Sequence, residues 1–425
     1  MRVPRAARGA GVRAGVVMEA GAALSAEGMR AYRTRAVFAL GKLDPQAGDH
    51  CALAPYPLVM RRGVVGEVGA LAERLDAEML ACERAVVADD GLLAAVRLPR
   101  RVAQAVRSQR GGAGFCWPRF SRYDFHWTTE GWRISEVNSD VPGGFVESAA
   151  LASCFALGAG VRAGVAPCPA GALVAAWARR LPAGGVVALV HATAFVDDRQ
   201  VMMFLKSRLE GAGIRGVLCG PDQCRPGEMR VGAPGFSGGV DGVVRFFPGE
   251  WLAQLDGGWG SYFAGHLAQS NPGTALVSQS KRAPIVWRMG GLATPVWDAL
   301  LPRTCAVGDA GPGWVLKPAL GRVGEDVAIE GVSDAKVRRR ARVWSRLHPG
   351  AWVAQERFTS VPVATPEGDR HVCLGVFVVD GAFAGLYARV AAVPLIDARA
   401  QDVPVWVVED ASVEKRLGVA AGAVA

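Results

Sequence analysis

The stretch FSRYDFHWTTEGWRISEVNSD (residues 120–140) decides how the rest of the chain is read. Side-chain character alternates through FSRYDFHW and again through WRISEVN, and Thr129-Glu130-Gly131 between them is a turn. The segment therefore predicts a β-hairpin. Alternation puts Glu136 and Asn138, two residues apart, on one face, while Asp124 belongs to the neighbouring strand. Two carboxylates and an amide oxygen meeting there make a hard, oxygen-rich site. Mg2+ takes such ligands and completes its octahedron with water and substrate phosphates. Arg122, two residues before Asp124, can face the same site and clamp a phosphate oxygen. The competing reading is a solvated hairpin with surface ion pairs. The aromatics Phe115, Trp117, Tyr123, Phe125, Trp127 and Trp132 argue for partial burial, where unpaired acids are costly.

A second group follows in VLKPALGRVGEDV (315–327), read as strand, glycine loop, strand. Lys317 at the strand end can place a point charge on an α- or β-phosphate, and Gly321 and Gly324 let backbone N–H groups approach the phosphate chain. The alternative is a glycine turn with an incidental lysine, although lysine occurs only at 42, 206, 281, 317, 336 and 415. No GxxxxGK[ST] run exists, so this is not a P-loop. Gln355 and Glu356 end the strand WVAQERF and can hydrogen-bond adenine and ribose, or simply sit on the surface. HVCLGVFVVDGAFAGLYARV is a hairpin turned at Asp380-Gly381. Arg389 on its second strand can neutralise an acyl phosphate or a tetrahedral oxyanion, or be one more exposed arginine.

Outward from these groups, residues 64–90 and 334–347 read as amphipathic helices and 145–157 as an apolar one. VVALVHA, a helix over 197–211 and IRGVLCG give strand, helix, strand, a βαβ unit of Rossmann-like kind. GVVRFFPGEW adds a strand, and 234–239 and 257–260 read as loops.

The 425 residues suit two or three domains. The net charge of +9 suggests a polyanion partner, but residues 1–36 hold seven arginines against two glutamates, and the body shows no basic stripe interleaved with aromatics. Nucleic acid is therefore not an expected partner. The opening 17 residues lack an apolar core for a secretory signal, and the run 149–161 is too short to span a bilayer. Nine scattered cysteines without a CxxC pair suit reduced thiols in a cytoplasmic protein, and six histidines without HxxxH spacing argue against zinc.

Taken in order, the stretches RYDFHW with SEVNSDVPGGFVESAAL, RFFPGEW, NPGTALVSQSKR, VLKPALGRVGEDV, VAQERF and GVFVVDGAFAGLYAR resemble the synthetase domain of glutathionylspermidine synthase and its stand-alone ATP-grasp relatives. The resemblance runs from about residue 115 to 390. It implies a mixed α/β (α+β) fold, with antiparallel nucleotide-binding sheets of ATP-grasp type and a Rossmann-like pre-ATP-grasp domain. The implied division is a basic, disordered tail over 1–36, a helical segment with the metal-binding hairpin over 37–170, the Rossmann-like domain over 171–275 and the ATP-grasp lobe over 276–425.

By the same resemblance, Asp124, Glu136 and Asn138 hold Mg2+, Arg122 contacts the reacting phosphate, and Lys281 and Lys317 bind ATP. Gln355 and Glu356 lie on the adenine side, and Arg389 sits on a mobile loop over the reacting centre. The implied activity is an ATP- and Mg2+-dependent carboxylate–amine ligase working through an acyl phosphate, with a small-molecule carboxylate and amine as partners. A degenerate ATP-grasp protein that binds nucleotide or a protein without turnover is the alternative. Two departures stand out. The family's GREGAN loop reads Gly321-Arg-Val-Gly-Glu325-Asp326 here, adding negative charge that is either a further metal ligand or drift. After Arg389, where the family has an SRFVP-like run, the chain has VPLIDARAQDVPVW. No cysteine amidase domain is expected ahead of the ligase region.

Overall fold

The alternating stretch folds as two antiparallel strands, Phe120–Thr128 and Gly131–Asn138. The structure is a computed structural model describing residues 17–409, except 43–45, 48–49, 111–116, 161–163, 165, 256–258, 264–266 and 323. Gly131 closes the turn at φ +98°, and the Thr128 hydroxyl donates to its carbonyl at 2.7 Å. A bulge between Tyr123 and Phe125 shifts the register, re-aiming side chains beside Asp124.

The second predicted hairpin, Gly368–Val379 and Ala382–Ala391, turns on Asp380 and Gly381 with φ of +49° and +78°. Those values match the right-handed twist of the strands that they join. The two hairpins lie side by side in one antiparallel sheet, ordered Gln401–Val403, Ala382–Ala391, Gly368–Val379, Phe120–Thr128, Gly131–Asn138, with Val363–Thr365 pairing at the start of Gly368–Val379. Register puts Gly375 opposite both Asp124 and Tyr387, and Cys373 opposite Arg389.

One face of this sheet is apolar: Tyr123, Phe125, Ile134, Leu374, Val376, Leu386 and Ala388 are buried. It packs on the helix Arg62–Ala88, whose Val65, Val68, Ala72, Leu75 and Met79 recur at helical spacing in the same core. Period two then leaves Arg122, Asp124, His126, Cys373, Tyr387 and Arg389 for the opposite face.

The expected βαβ unit is present. Val186–His191, the helix Val196–Gly211 and Arg215–Cys219 belong to a four-stranded parallel sheet ordered Gln269–Ser270, Gly242–Phe246, Val186–His191, Arg215–Cys219. A third sheet sets Trp352–Gln355 between Thr304–Cys305 and Val315–Pro318, with the arginine-rich helix Ala335–Leu347 packed against it. The fold is thus mixed α/β with antiparallel sheets around a parallel one.

Four local expectations are corrected. Residues 18–36, read as part of a disordered tail, form the strand Met18–Ala20 and most of the helix Ala26–Phe38. Ser25 caps that helix by accepting from the Gly28 N–H at 3.1 Å, and Tyr32 packs edge-on against Phe155. Counting charge missed the cap and the buried aromatic; residues 1–16 lie outside the described residues. The supposed loop 234–239 contains the strand Phe236–Gly239, paired with Arg230–Ala233, because backbone bonds form without β-prone side chains. The strand expected after the glycine loop is a single bridge between Leu316 and Ala328. The helix expected over 145–157 opens with a π-helical turn at Glu147–Leu151. Phe115 and the loop residues 257–258 lie outside the described residues.

Candidate active site

The polar sheet face, the parallel domain and the glycine-loop strand enclose a cleft of about 770 Å3. Of the expected site residues, Arg122, Asp124, Glu136, Asn138, Lys317, Gly324, Gln355, Glu356 and Arg389 line it; Lys281 and Gly321 do not, but Lys281 contacts both Glu136 and the Gly321 carbonyl.

On the hairpin, Arg122 grips Asp124 with two parallel bonds, Nε to Oδ1 at 2.7 Å and Nη2 to Oδ2 at 2.9 Å, and Nη1 donates to the Gly143 carbonyl at 3.0 Å. Asn138 donates its amide N–H to Asp124 Oδ2 at 3.2 Å, so its carbonyl oxygen is its remaining acceptor. Glu136 pairs with Lys281 at 3.0 Å. Burial alone would raise the Glu136 carboxyl, but Lys281 and Lys317 outweigh it and bring it down to about 2.

Lys317 crosses from its strand to the hairpin. Its amine donates to the Ser135 carbonyl at 3.2 Å and to Gln355 Oε1 at 2.7 Å. Burial pushes it down to about 8, with Lys281 adding to the fall and Glu136 opposing it. Lys281 donates to the Gly321 carbonyl at 2.8 Å as well as pairing with Glu136, so it ties the acids to the glycine loop.

His126 lies between these groups. Its Nε2 meets the Ser135 hydroxyl at 3.0 Å, and burial, then Lys317, lower it to about 4, so the ring is neutral near pH 7. Neutrality fixes the tautomer: Nδ1, 3.2 Å from the Val372 carbonyl, must donate.

Other placements differ from expectation. Gln355 is buried, and its amide nitrogen donates to Thr304 Oγ1 at 3.0 Å while its oxygen holds Lys317. Its oxygen thus fixes the lysine, and its amide nitrogen keeps a second N–H. Glu356 is exposed on the cleft wall. Arg389 is not on a loop: it is in the strand Ala382–Ala391, opposite Cys373 and Asp402, and donates to the Asp397 carbonyl at 2.7 Å. The alternating strand simply continues through the arginine. Of the two added acids, Glu325 lines the cleft, while Asp326 is not among the lining residues and pairs with Arg340 on the neighbouring helix.

Two clusters were not assigned from sequence. Asp140, fully buried, accepts from Arg245, from Arg322 at 3.0 Å and from the Gly249 N–H at 3.0 Å, and Arg322 also holds Glu250 at 2.9 Å. It joins the hairpin, the parallel sheet and the glycine loop. Lys42, on the opposite wall, pairs with Glu147 at 2.6 Å and Asp402 at 2.9 Å. Residues 42, 147 and 402 lie too far apart in sequence for any spacing to signal them. Asn271 is buried too: it accepts from the Phe120 N–H at 3.0 Å and donates to the Phe120 and Ser139 carbonyls, both at 2.8 Å.

Gly324 marks where the two departures from the family pattern touch. Its φ is +69°, and a Cβ there would lie 2.5 Å from the Ile396 carbonyl oxygen. Gly324→Ala is expected to cost about 1–3 kcal/mol through strain and to push segment 394–397 off the loop, read as a lower thermal midpoint.

Among the described residues no group of three or more His, Cys, Asp or Glu side chains gathers as a metal cage. The hairpin set instead offers two carboxylates, Asp124 held by Arg122 and Glu136 paired with Lys281, and the Asn138 amide oxygen. Mg2+ is commonly held by one or two carboxylates plus waters and substrate phosphates, so the donor chemistry fits it.

A family model described as glutathionylspermidine synthase preATP-grasp matches residues 59–408. Among solved structures, the chain is similar to a glutathione synthetase-like effector of Globodera pallida in its apo form. Identity is 13%, the match covers 84% of this chain and 90% of that one, and the TM-score is 0.58, a likeness of fold. A putative gamma-glutamylcysteine synthetase from Methylobacillus flagellatus matches at 12% identity over 75% of this chain and 88% of its own, with a TM-score of 0.40. No match was found among curated protein sequences.

Proposed function

The chain belongs to the glutathionylspermidine synthase preATP-grasp family, and we propose that it is an ATP-dependent, ADP-forming ligase joining a small-molecule carboxylate to an amine. One observation carries the reading. Lys317 reaches from the glycine-loop strand to the backbone of the acidic hairpin, so anion-binding and metal-binding groups share one wall. A triphosphate needs that pairing: cations for its oxygens, and hard oxygen ligands for its metal.

The carboxylate attacks the γ-phosphate, giving an acyl phosphate and ADP; the amine then displaces phosphate and leaves an amide. Mg2+ held by Asp124, Glu136 and Asn138 would supply charge neutralisation on the transferring phosphoryl group. Lys317 and Lys281 offset the charge of the phosphate chain. Arg122, clamped by Asp124, holds a fixed plane of donors toward the reacting phosphoryl oxygens. Arg389 stabilises the oxyanion of the second step.

ADP release across a grid of carboxylates and amines tests the reading. A nucleotide that raises the melting temperature without ADP forming from any pair would instead favour binding without turnover. We place the protein in the cytoplasm, a setting supported by the eight cysteines that are free among the described residues. No helix among those residues is long and apolar enough to cross a membrane.

The lysine gives a pH prediction. Lys317 is cationic below about 8 and neutral above it. The ATP dissociation constant is expected to rise above that pH, by a factor approaching ten per unit if this charge dominates. Calorimetric titration from pH 6.5 to 9.5 reads the inflection, and Lys317→Arg should remove it.

A further inference from the structure

The sheet carries a feature that the reaction scheme leaves unused. Tyr387 is 7% exposed and lines the cleft, and the Arg122 guanidinium lies over its ring, 5.4 Å from the centroid. Two glycines make room for that ring. A Cβ on Gly375, directly across the strand pair, would lie 2.4 Å from Tyr387 Cε1 and 2.9 Å from Arg122 Cδ. A Cβ on Gly144, at φ +93° in the loop after the hairpin, would lie 2.7 Å from the same ring atom. The ring thus occupies a slot that any larger residue at 144 or 375 would close.

The geometry completes the fixing of Arg122. Its bonds to Asp124 and Gly143 lie near the guanidinium plane and set position within it. They resist tilting out of the plane poorly. An aromatic face beneath the cation resists tilt, because the quadrupole attraction and the contact area are both largest when the planes stack.

We propose that Tyr387 is a positioning residue, the platform that sets the tilt of the Arg122 guanidinium against the phosphoryl group, with Gly375 and Gly144 forming its slot. The proposal rests on the ligase reading for its consequence and on the geometry alone for its existence. The ring acts through Arg122 and need not touch the reacting atoms.

Three variants of the full chain test it. Tyr387→Leu is expected to lower kcat by about 10–100-fold with the KM for ATP changed less than threefold, since misplacement of a catalytic group by about 1 Å costs that much. Tyr387→Phe keeps the face and should recover kcat to within about threefold. Gly375→Ala invades the slot from the far side and should lower kcat as Tyr387→Leu does, which covers the case in which the leucine variant fails to fold.

A second readout does not need turnover. In chain labelled with 15N-arginine, the Arg122 Nε–H resonance is identified by its loss in Arg122→Lys. It should be slow to exchange in the wild type and in Tyr387→Phe, but shifted and fast in Tyr387→Leu or Gly375→Ala. An unmoved resonance with unchanged kcat in those last two overturns the platform, as does a Tyr387→Phe variant as impaired as Tyr387→Leu. If the wild type releases no ADP with any pair, the ligase reading fails while the resonance still decides the platform.

Discussion

Asp124→Asn is expected to reduce ADP release on the order of a thousandfold while the protein stays folded. In the proposed site the aspartate has two duties: it is one of the two carboxylates that would hold the metal, and it holds Arg122 by both oxygens. The asparagine keeps the shape and one acceptor oxygen for the guanidinium. It loses the charge that binds a divalent cation, and its amide nitrogen opposes an arginine N–H. Several kcal/mol of transition-state stabilisation disappear with the metal, and each 1.4 kcal/mol is tenfold in rate. ATP binding measured without added metal should change little, because Lys317 and Lys281 remain. Turnover within tenfold of the wild type under saturating Mg2+ would remove Asp124 from the site and with it the metal assignment.

Asp140→Asn carries the largest expected loss of stability, about 3–5 kcal/mol, the usual consequence of leaving a buried charge without its partner. Both Asp140 and Arg245 side chains are 0% exposed, so the guanidinium left behind has no water to turn to. The one oxygen that asparagine keeps can serve either Arg245 or the pair Arg322 and Gly249 N–H, so one side also meets an N–H where it had an acceptor. Chemical denaturation should show the midpoint falling with little change in slope. The pH dependence follows the same charge. Burial alone would raise the Asp140 carboxyl, yet Arg245 and Arg322 outweigh it and hold it below the usual 3.8. Its folded value is depressed, so its contribution is complete above 3.8 and is lost as pH falls through the folded value. The wild type should therefore lose stability in that acid window, and Asp140→Asn should lose less of it there.

The comparison of Asp124 with Asp140 shows what was legible and what was not. Both lie in one stretch, sixteen residues apart. Asp124 was assigned because strand alternation puts it on a face with Arg122, and that geometry is local. Asp140 was not, because its partners Arg245, Gly249 and Arg322 come from other elements and reveal themselves only when those elements pack. The same holds for Lys42 with Glu147 and Asp402, and for Asn271 between the strand ends. Gln355 sits at the strand end that the pattern places in the cleft, but that its amide oxygen holds Lys317 is disclosed by no strand-end pattern. For Arg389 the residues themselves read as the hairpin's second strand and the resemblance implied a loop; the strand Ala382–Ala391 runs through it.

By itself the sequence determined the elements whose signal is periodic and local: both hairpins, the long amphipathic helix, the strand–helix–strand unit, and which side of each strand is polar. It did so because period two and period 3.6 are properties of the backbone that neighbouring residues obey together. Only the tertiary structure decided what those polar sides meet. Glu136 faces Lys281, and Asp140 is enclosed by the guanidinium groups of Arg245 and Arg322, and each of these pairings depends on elements distant in sequence brought together as the apolar faces are buried.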